Sequence, residues 1–187
     1  DRLFGTTHGQ PESTMSNLAK FVMLFCIAVF LAAVSLWFIG GKKREYTTSA
    51  TVNATPDQIF PFVNDITEKK KWMQGLVEQQ FVSAADLDEG VTEEGMELSS
   101  VVESNGQVDE FDDVVIRFTE NEIITIKSRN NRMMSTWSVL LEEIGDKTRM
   151  TYRRIIRFNG LERFKSVFYR DNYQREIEDE MSRLVKL

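Results

Sequence analysis

Between Lys42 and Leu187 the chain has neither histidine nor cysteine; the one of each, His8 and Cys26, come earlier. That removes histidine triads, thiol nucleophiles and His/Cys zinc sites from most of the sequence. Gly-rich phosphate loops, a nucleophile elbow and paired carboxylates at readable spacing are missing too. The chemistry that remains belongs to Arg, Tyr, Trp and single carboxylates. Arg154 is the most pointed candidate, because alternate residues of a strand share a face and Arg154 has the parity of Tyr152 and Ile156. Facing inward, it would anchor a ligand headgroup or carboxylate. A strand bulge or an edge position would turn it to solvent, and the outward placement is the expectation. The run Asp109-Glu110-Phe111-Asp112-Asp113 has oxygen ligands for a cation but no established loop spacing, so it reads as a solvated hairpin end. Asp86, Asp88, Glu89, Glu93 and Glu94 read the same way. No metal site and no cofactor is expected.

The same parity argument selects an apolar interior: Met96 and Leu98; Val114, Ile116 and Phe118; Ile124 and Ile126; Trp137, Val139 and Leu141; Met150, Tyr152 and Ile156. Phe164, Val167 and Phe168 of a terminal helix would face them. The ligand-binding candidates drawn from this set are Phe118, Trp137, Tyr152, Arg154, Phe164 and Phe168. Two readings stay open, an apolar pocket or a filled core with no ligand.

These positions depend on an α+β order of elements. Glu45–Asn53 alternates with β-branched residues, as a strand does. Thr55-Pro56-Asp57 reads as a helix start, with Thr55 as N-cap and Pro56 at the first helical position. A second short helix is predicted over Thr67–Met73. Six strands follow at Glu78–Ala84, Gly95–Glu103, Glu110–Thr119, Ile123–Arg129, Met133–Glu142 and Thr148–Phe158. Turn residues join them at Asp88-Glu89-Gly90, Ser104-Asn105-Gly106, Glu120-Asn121-Glu122, Asn130-Asn131 and Gly145-Asp146-Lys147. Gly160–Leu187 has apolar residues at three-to-four spacing and reads as one long helix. A curved seven-stranded antiparallel sheet with one face to bury would close around that helix.

Ahead of this domain, Phe21–Gly41 runs without a charge over about 30 Å of helix, the thickness of a bilayer core. Trp37 suits an interfacial anchor and Lys20 can snorkel. The expected organisation is therefore a polar tail over residues 1–17, a transmembrane helix over 18–41 and a soluble domain over 42–187. The tail is polar enough to be disordered on its own. Asp1 is no initiator, so the chain is processed or its numbering starts inside a longer reading frame, with Met15 an available start. Lys42, Lys43 and Arg44 outnumber the bases before the span, which predicts a cytoplasmic domain.

The chain has 23 Lys and Arg against 29 Asp and Glu, net −6. Asp1, Arg2, Glu12 and Lys20 cancel, so the soluble domain carries that whole imbalance. It speaks against nucleic acid as a partner and against broad adhesion to anionic lipid surfaces.

Ala50-Thr51-Val52-Asn53-Ala54-Thr55-Pro56-Asp57-Gln58-Ile59-Phe60, then Phe62-Val63-Asn64-Asp65 and Lys71-Trp72, resemble the first strand, Pro-started helix and Trp-closed second helix of the SRPBCC superfamily. These are the START-like or polyketide-cyclase-like helix-grip domains. Trp137-Ser138-Val139-Leu140 through Gly145-Asp146-Lys147-Thr148-Arg149-Met150-Thr151-Tyr152 resembles the penultimate hairpin of that superfamily. The resemblance spans Glu45–Leu187 and implies a helix-grip fold. It also implies a bacterial inner-membrane setting, since members with one preceding membrane helix are familiar there. It leaves three functions in order. The first is non-catalytic binding of a hydrophobic ligand (lipid, quinone or polyketide-like) beside the bilayer. The second is an accessory subunit of a larger membrane complex, meeting other subunits through the span and the tail. The third is an aromatic cyclase or hydrolase.

Overall fold

In a computed structural model, residues 17–82, 93–104, 106–168 and 170–187 are described. The expected tail, except Asn17, lies outside them, as do the Asp88-Glu89-Gly90 turn and Asp86. The first helix, α1, spans Asn17–Gly40 and is long and apolar enough to cross a membrane. Its apolar side chains, such as Phe21, Leu24 and Phe30, lie uncovered among the described residues. A core helix of a soluble protein would have them buried.

Strand β1 (Arg44–Val52) leads into α2 (Pro56–Asn64) and α3 (Ile66–Trp72). Pro56 opens α2 as its sequence requires, and the Gln58 side chain reaches back 3.1 Å to accept from the Thr55 N–H. Asp65 caps α3, its Oδ1 accepting from the N–H groups of Thr67 and Glu68. Then follow β2 (Leu76–Phe81), β3 (Glu97–Ser104), β4 (Gln107–Thr119), β5 (Ile123–Arg129), β6 (Met133–Ile144) and β7 (Lys147–Phe158). All pairings are antiparallel, in the order β1-β7-β6-β5-β4-β3-β2. Consecutive hairpins build six strands, and β1 closes onto β7 at the far edge. Asn121 takes φ 60° in the β4–β5 turn, a conformation asparagine tolerates. Asn130 Oδ1 accepts from the N–H groups of Arg132 and Met133 at the β5–β6 turn.

The core lies between one face of this sheet and the helices α2, α3 and α5 (Arg170–Leu184). Val63, Trp72, Ile124, Ile126, Met150, Tyr152 and Ile177 are fully enclosed there. The architecture is the expected helix-grip arrangement, with two departures.

The first is in the C-terminal segment, which is not one helix. It divides into α4 (Glu162–Ser166) and α5. Arg44 donates to the Ser166 carbonyl, the group a continuing helix would use for the N–H of residue 170. Ser166 Oγ also bonds the Gly40 carbonyl, at 3.3 Å. These contacts seat α4 on the end of α1 and leave α5 to cover the sheet. A Cβ on Gly40 would meet the Arg163 carbonyl oxygen at 1.8 Å, so only glycine allows the approach.

The second departure is parity in β4. Phe111, Asp113 and Val115 face inward, not Val114 and Ile116, and Ile116 is exposed. A register shift between Val115 and Arg117 then returns Phe118 to the inner side. A bulge resets alternation by one residue, which no reading of spacing can locate in advance.

Removing Ile177, fully enclosed in α5, as Ile177→Ala should cost about 2–5 kcal/mol. Ile116→Ala, on the outer face, should stay within about 0.5 kcal/mol. Denaturant titration of the full chain in mild detergent would check both, and equal losses would contradict the placement of α5.

Candidate functional site

Two buried polar clusters border one cavity between the sheet and α5. The first is centred on Arg154, which lies inward and buried, against the expected outward turn. β7 is not an edge strand: β1 and β6 flank it, and its alternation runs without a shift through Tyr152, Arg154 and Ile156. Its guanidinium donates to Glu176 Oε1 (2.7 Å), Glu180 Oε2 (2.8 Å) and the Tyr152 hydroxyl (2.5 Å). That hydroxyl donates in turn to Glu180 Oε2 at 2.8 Å. Glu180 Oε1 accepts from the Gln74 N–H at 2.9 Å. Burial opposes the charge on Arg154, but Tyr152, Glu180 and Glu176 outweigh it and hold the group firmly protonated. Burial also raises the Tyr152 and Glu176 pKa values. Glu176 and Glu180 thus form the paired carboxylates that sequence spacing did not disclose. Their four-residue separation puts both on one helix face, but only the fold shows that an arginine lies opposite.

The second cluster is a polar row on the inner face of the sheet. Gln79 pairs with Ser100 in the β2–β3 register, Asp113 with Ser128 in β4–β5, and Ser128 with Ser135 in β5–β6. All five side chains are buried. Gln79 is inside because a bulge between Leu76 and Glu78 sets Leu76 and Gln79 on one face, three residues apart. Gln79 Nε2 donates to Ser100 Oγ (2.9 Å) and Asp113 Oδ2 (3.2 Å), and Ser100 Oγ donates to the same Oδ2. Behind Gln79 lies Lys69 of α3, 2% exposed, whose Nζ donates to Gln79 Oε1 at 3.0 Å. The ammonium also stands 5.8 Å from the centre of the Trp137 ring.

Burial pushes Lys69 down to about 8, partly offset by Asp113 and Asp65. Burial raises the Asp113 carboxyl, and Ser100, Ser128, Gln79 and Lys69 pull it back. Ser128 is close enough to favour the Asp113 charge, yet no hydrogen bond of ordinary geometry reaches Asp113 Oδ1 among the described residues. Asp113 therefore corrects the expected solvated hairpin end. Of that acidic run, Glu110 and Asp112 are exposed and Asp109 is ion-paired to Arg132 at 3.0 Å.

The cavity has a volume of about 110 Å³. One water needs about 10–15 Å³ of such space, so there is room for several waters or one slim ligand. Most of its wall is apolar, from Met73, Leu76, Phe111, Met133, Trp137 and Tyr173. Its polar lining includes Gln79, Asp113, Ser128, Ser135, Arg154 and Glu176.

Of the six sequence candidates, Trp137 and Arg154 line this cavity, and Tyr152 lies just behind, bonded to Arg154. Phe118 packs edge-on to Phe60 of α2, at 5.6 Å, away from it. Phe164 packs on Trp37 of α1 at 5.5 Å, and Phe168 is 75% exposed. The division of the C-terminal segment is what removes these two, since α4 belongs to the end of α1 and not to the sheet. Sequence reasoning missed Lys69, Gln79, Ser100, Asp113, Ser128, Ser135, Glu176 and Glu180. Ser128 and Ser135 carry a readable signal, polar residues with the parity of Ile126 and Trp137; Lys69 and Gln79 carry none.

A seven-stranded sheet gripping a helix around a part-polar cavity defines a helix-grip, START-like fold. Residues 43–187 match the sequence pattern of the family described as polyketide cyclase / dehydrase and lipid transport, and the chain belongs to that family. Among solved structures it is similar to the Zhui aromatase/cyclase from Streptomyces sp. R1128, with a TM-score of 0.62 at 8% identity over 78% of this chain and 93% of that one. It is similar to a START superfamily protein from Mycobacterium smegmatis, with a TM-score of 0.57 at 16% identity over 76% and 94%. A protein from Thermus thermophilus gives 0.59 at 11% identity over 76% and 95%. At these identities the likeness is one of fold. No curated protein matches the chain.

Arg154→Met should cost about 3–5 kcal/mol, because it leaves Glu180 buried without its counter-charge. Adding Glu180→Leu should recover much of that loss, since an apolar pair can replace a buried ion pair at little cost. Thermal melts of the two variants would decide it; no recovery would mean that the ion pair itself stabilises the fold.

Lys69 sets a pH dependence. Its folded pKa, about 8, lies below the ordinary lysine value of 10.5, so between those values the unfolded chain binds more protons. Its contribution to stability therefore rises as pH climbs through that window. Asp113 acts in the opposite sense, its contribution falling as pH rises from 3.8 through its elevated folded pKa. NMR titration of the Lys69 side chain should give a midpoint near 8, and Asp113→Asn should lower it, because the Asp113 charge is what raises it against burial.

Proposed function

We propose that this is a membrane-anchored binding protein for a small, mostly apolar ligand of the lipid, quinone or polyketide-like kind, and that it is not an enzyme. The observation that carries this reading is the cavity between the sheet and α5, with an apolar wall and polar groups at fixed points. A non-catalytic role is favoured by how the charged groups are used. Arg154 is spent on Glu176, Glu180 and Tyr152, and Lys69 stands behind Gln79 and not on the cavity wall.

The tether supports delivery from the bilayer. Anchoring raises the local concentration of a membrane-soluble ligand without any new contact. The linkage is short and stiff: the Arg163 guanidinium stacks 4.8 Å over the Trp37 ring, and α4 is bonded to Gly40. Exposed Leu161 and Phe168 flank α4, and Lys42 and Lys43 flank the end of α1. That mixture suits a helix lying at the headgroup level. The basic collar favours a cytoplasmic domain, although Arg44 is engaged by Ser166 and leaves two exposed lysines.

The small cavity also favours a second reading, an accessory subunit of a membrane complex that uses the fold for packing. Ser35 speaks little for helix pairing, since its hydroxyl donates to Leu31 of its own helix.

The full chain, delipidated in detergent and re-exposed to its own membranes, should return with a bound apolar small molecule detectable by native mass spectrometry. Protein that returns empty and migrates within a larger assembly on a native gel would favour the subunit reading.

A further inference from the structure

The inner face of the sheet contains a buried acceptor, Asp113 Oδ1, that no hydrogen bond of ordinary geometry reaches among the described residues, with Ser128 beside it. Asp113 is 3% exposed, and its Oδ2 is engaged by Ser100 and Gln79. Oδ1 is buried with no hydrogen-bond partner among the described residues. Asp113 and Ser128 both line the cavity and are cross-strand neighbours. An unpaired buried acceptor carries a desolvation cost that a donor entering the cavity would relieve.

Building on the ligand-binding reading above, we propose that Asp113 and Ser128 are the polar anchor of this cavity, and that its ligand is a mostly apolar molecule bearing a hydroxyl at its inner end. A carboxylate-bearing ligand is disfavoured, because Asp113 and Glu176 both line the cavity and Arg154 already serves Glu176 and Glu180. An ammonium ligand is disfavoured because Lys69, behind Gln79, already balances Asp113, and the Arg154 guanidinium lines the same cavity. A further cation would be desolvated with no free counter-charge. A hydroxyl meets both demands at once. It donates to Oδ1, and its lone pairs accept from Ser128 Oγ–H. The wall of Met73, Leu76, Phe111 and Met133 takes the apolar remainder.

The test compares ligands on the unaltered chain, so that it does not depend on a variant folding. The full chain in nanodiscs is titrated with p-cresol, p-methylanisole, toluene and benzylamine, with empty nanodiscs subtracted, and Trp137 and Ser128 are followed by NMR. p-Cresol should bind roughly tenfold or more tightly than the ether, the hydrocarbon or the amine, the scale of a hydrogen bond to a charged group. Ser128→Ala should narrow that gap, and Asp113→Asn, where it folds, should abolish it. Equal saturable binding of p-cresol, the ether and toluene would overturn the anchor and leave the cavity as an apolar ligand site. Preference for benzylamine would overturn the hydroxyl assignment in favour of a cation. No saturable binding by any of the four would overturn the anchor and the ligand-binding reading with it.

Discussion

Arg154 sits where a sheet residue should be apolar, and the position of α5 follows from that. A guanidinium taken out of water needs counter-charge close by, and α5 supplies it twice on one face, from Glu176 and Glu180. Tyr152 and the Gln74 N–H complete the bonding, so the same knot joins β7, α5 and the segment after α3. The apolar contacts of Ile177, Met181 and Leu184 would tolerate some sliding of the helix. The ion pairs would not, because a shift of one residue would leave Glu180 buried alone.

Fixing α5 in this way also keeps a space open beneath it. The same sheet face carries a buried row of Gln79, Ser100, Asp113, Ser128 and Ser135, of which Gln79, Ser100 and Asp113 bond to one another. Short polar side chains on the sheet and a helix held off by a charged cluster leave volume between them. Trp137 bounds that space, with Lys69 of α3 behind it and behind Gln79. Trp72 closes the core behind it, edge-on to both Trp137 and Tyr152. The cavity is therefore bordered by two buried polar networks, one complete around Arg154 and one that leaves Asp113 Oδ1 without a hydrogen-bond partner among the described residues.

The other end of the C-terminal segment does different work. Ser166, Arg163 and Phe164 turn away from the sheet to meet Gly40 and Trp37 of the apolar N-terminal helix. With the segment divided, α4 meets α1 while α5 packs on the sheet. These contacts join α1 to the domain that holds the cavity.

Much of the architecture was legible in the residues themselves. Pro56 after Thr55, the charge-free run from Phe21, the alternation in β5 to β7 and the turn residues at Asn121, Asn130 and Gly145 each act through local sterics or local hydrogen bonds, which one sequence carries in full. The site was legible only in part. Trp137 and Tyr152 were found because their strands alternate without interruption, and Arg154 was identified but expected on the wrong face. Lys69, Gln79 and Asp113 depended on two bulges and on which strands lie side by side. Those are properties of pairing between segments far apart in the chain. Phe164 and Phe168 failed as site residues for a similar reason, because the helix break that removed them is held by Arg44, more than a hundred positions away. Local spacing determined which elements form and which faces are apolar. Only tertiary structure decided where buried charge could find its partners, since desolvation depends on everything packed around a group and not on its neighbours in sequence.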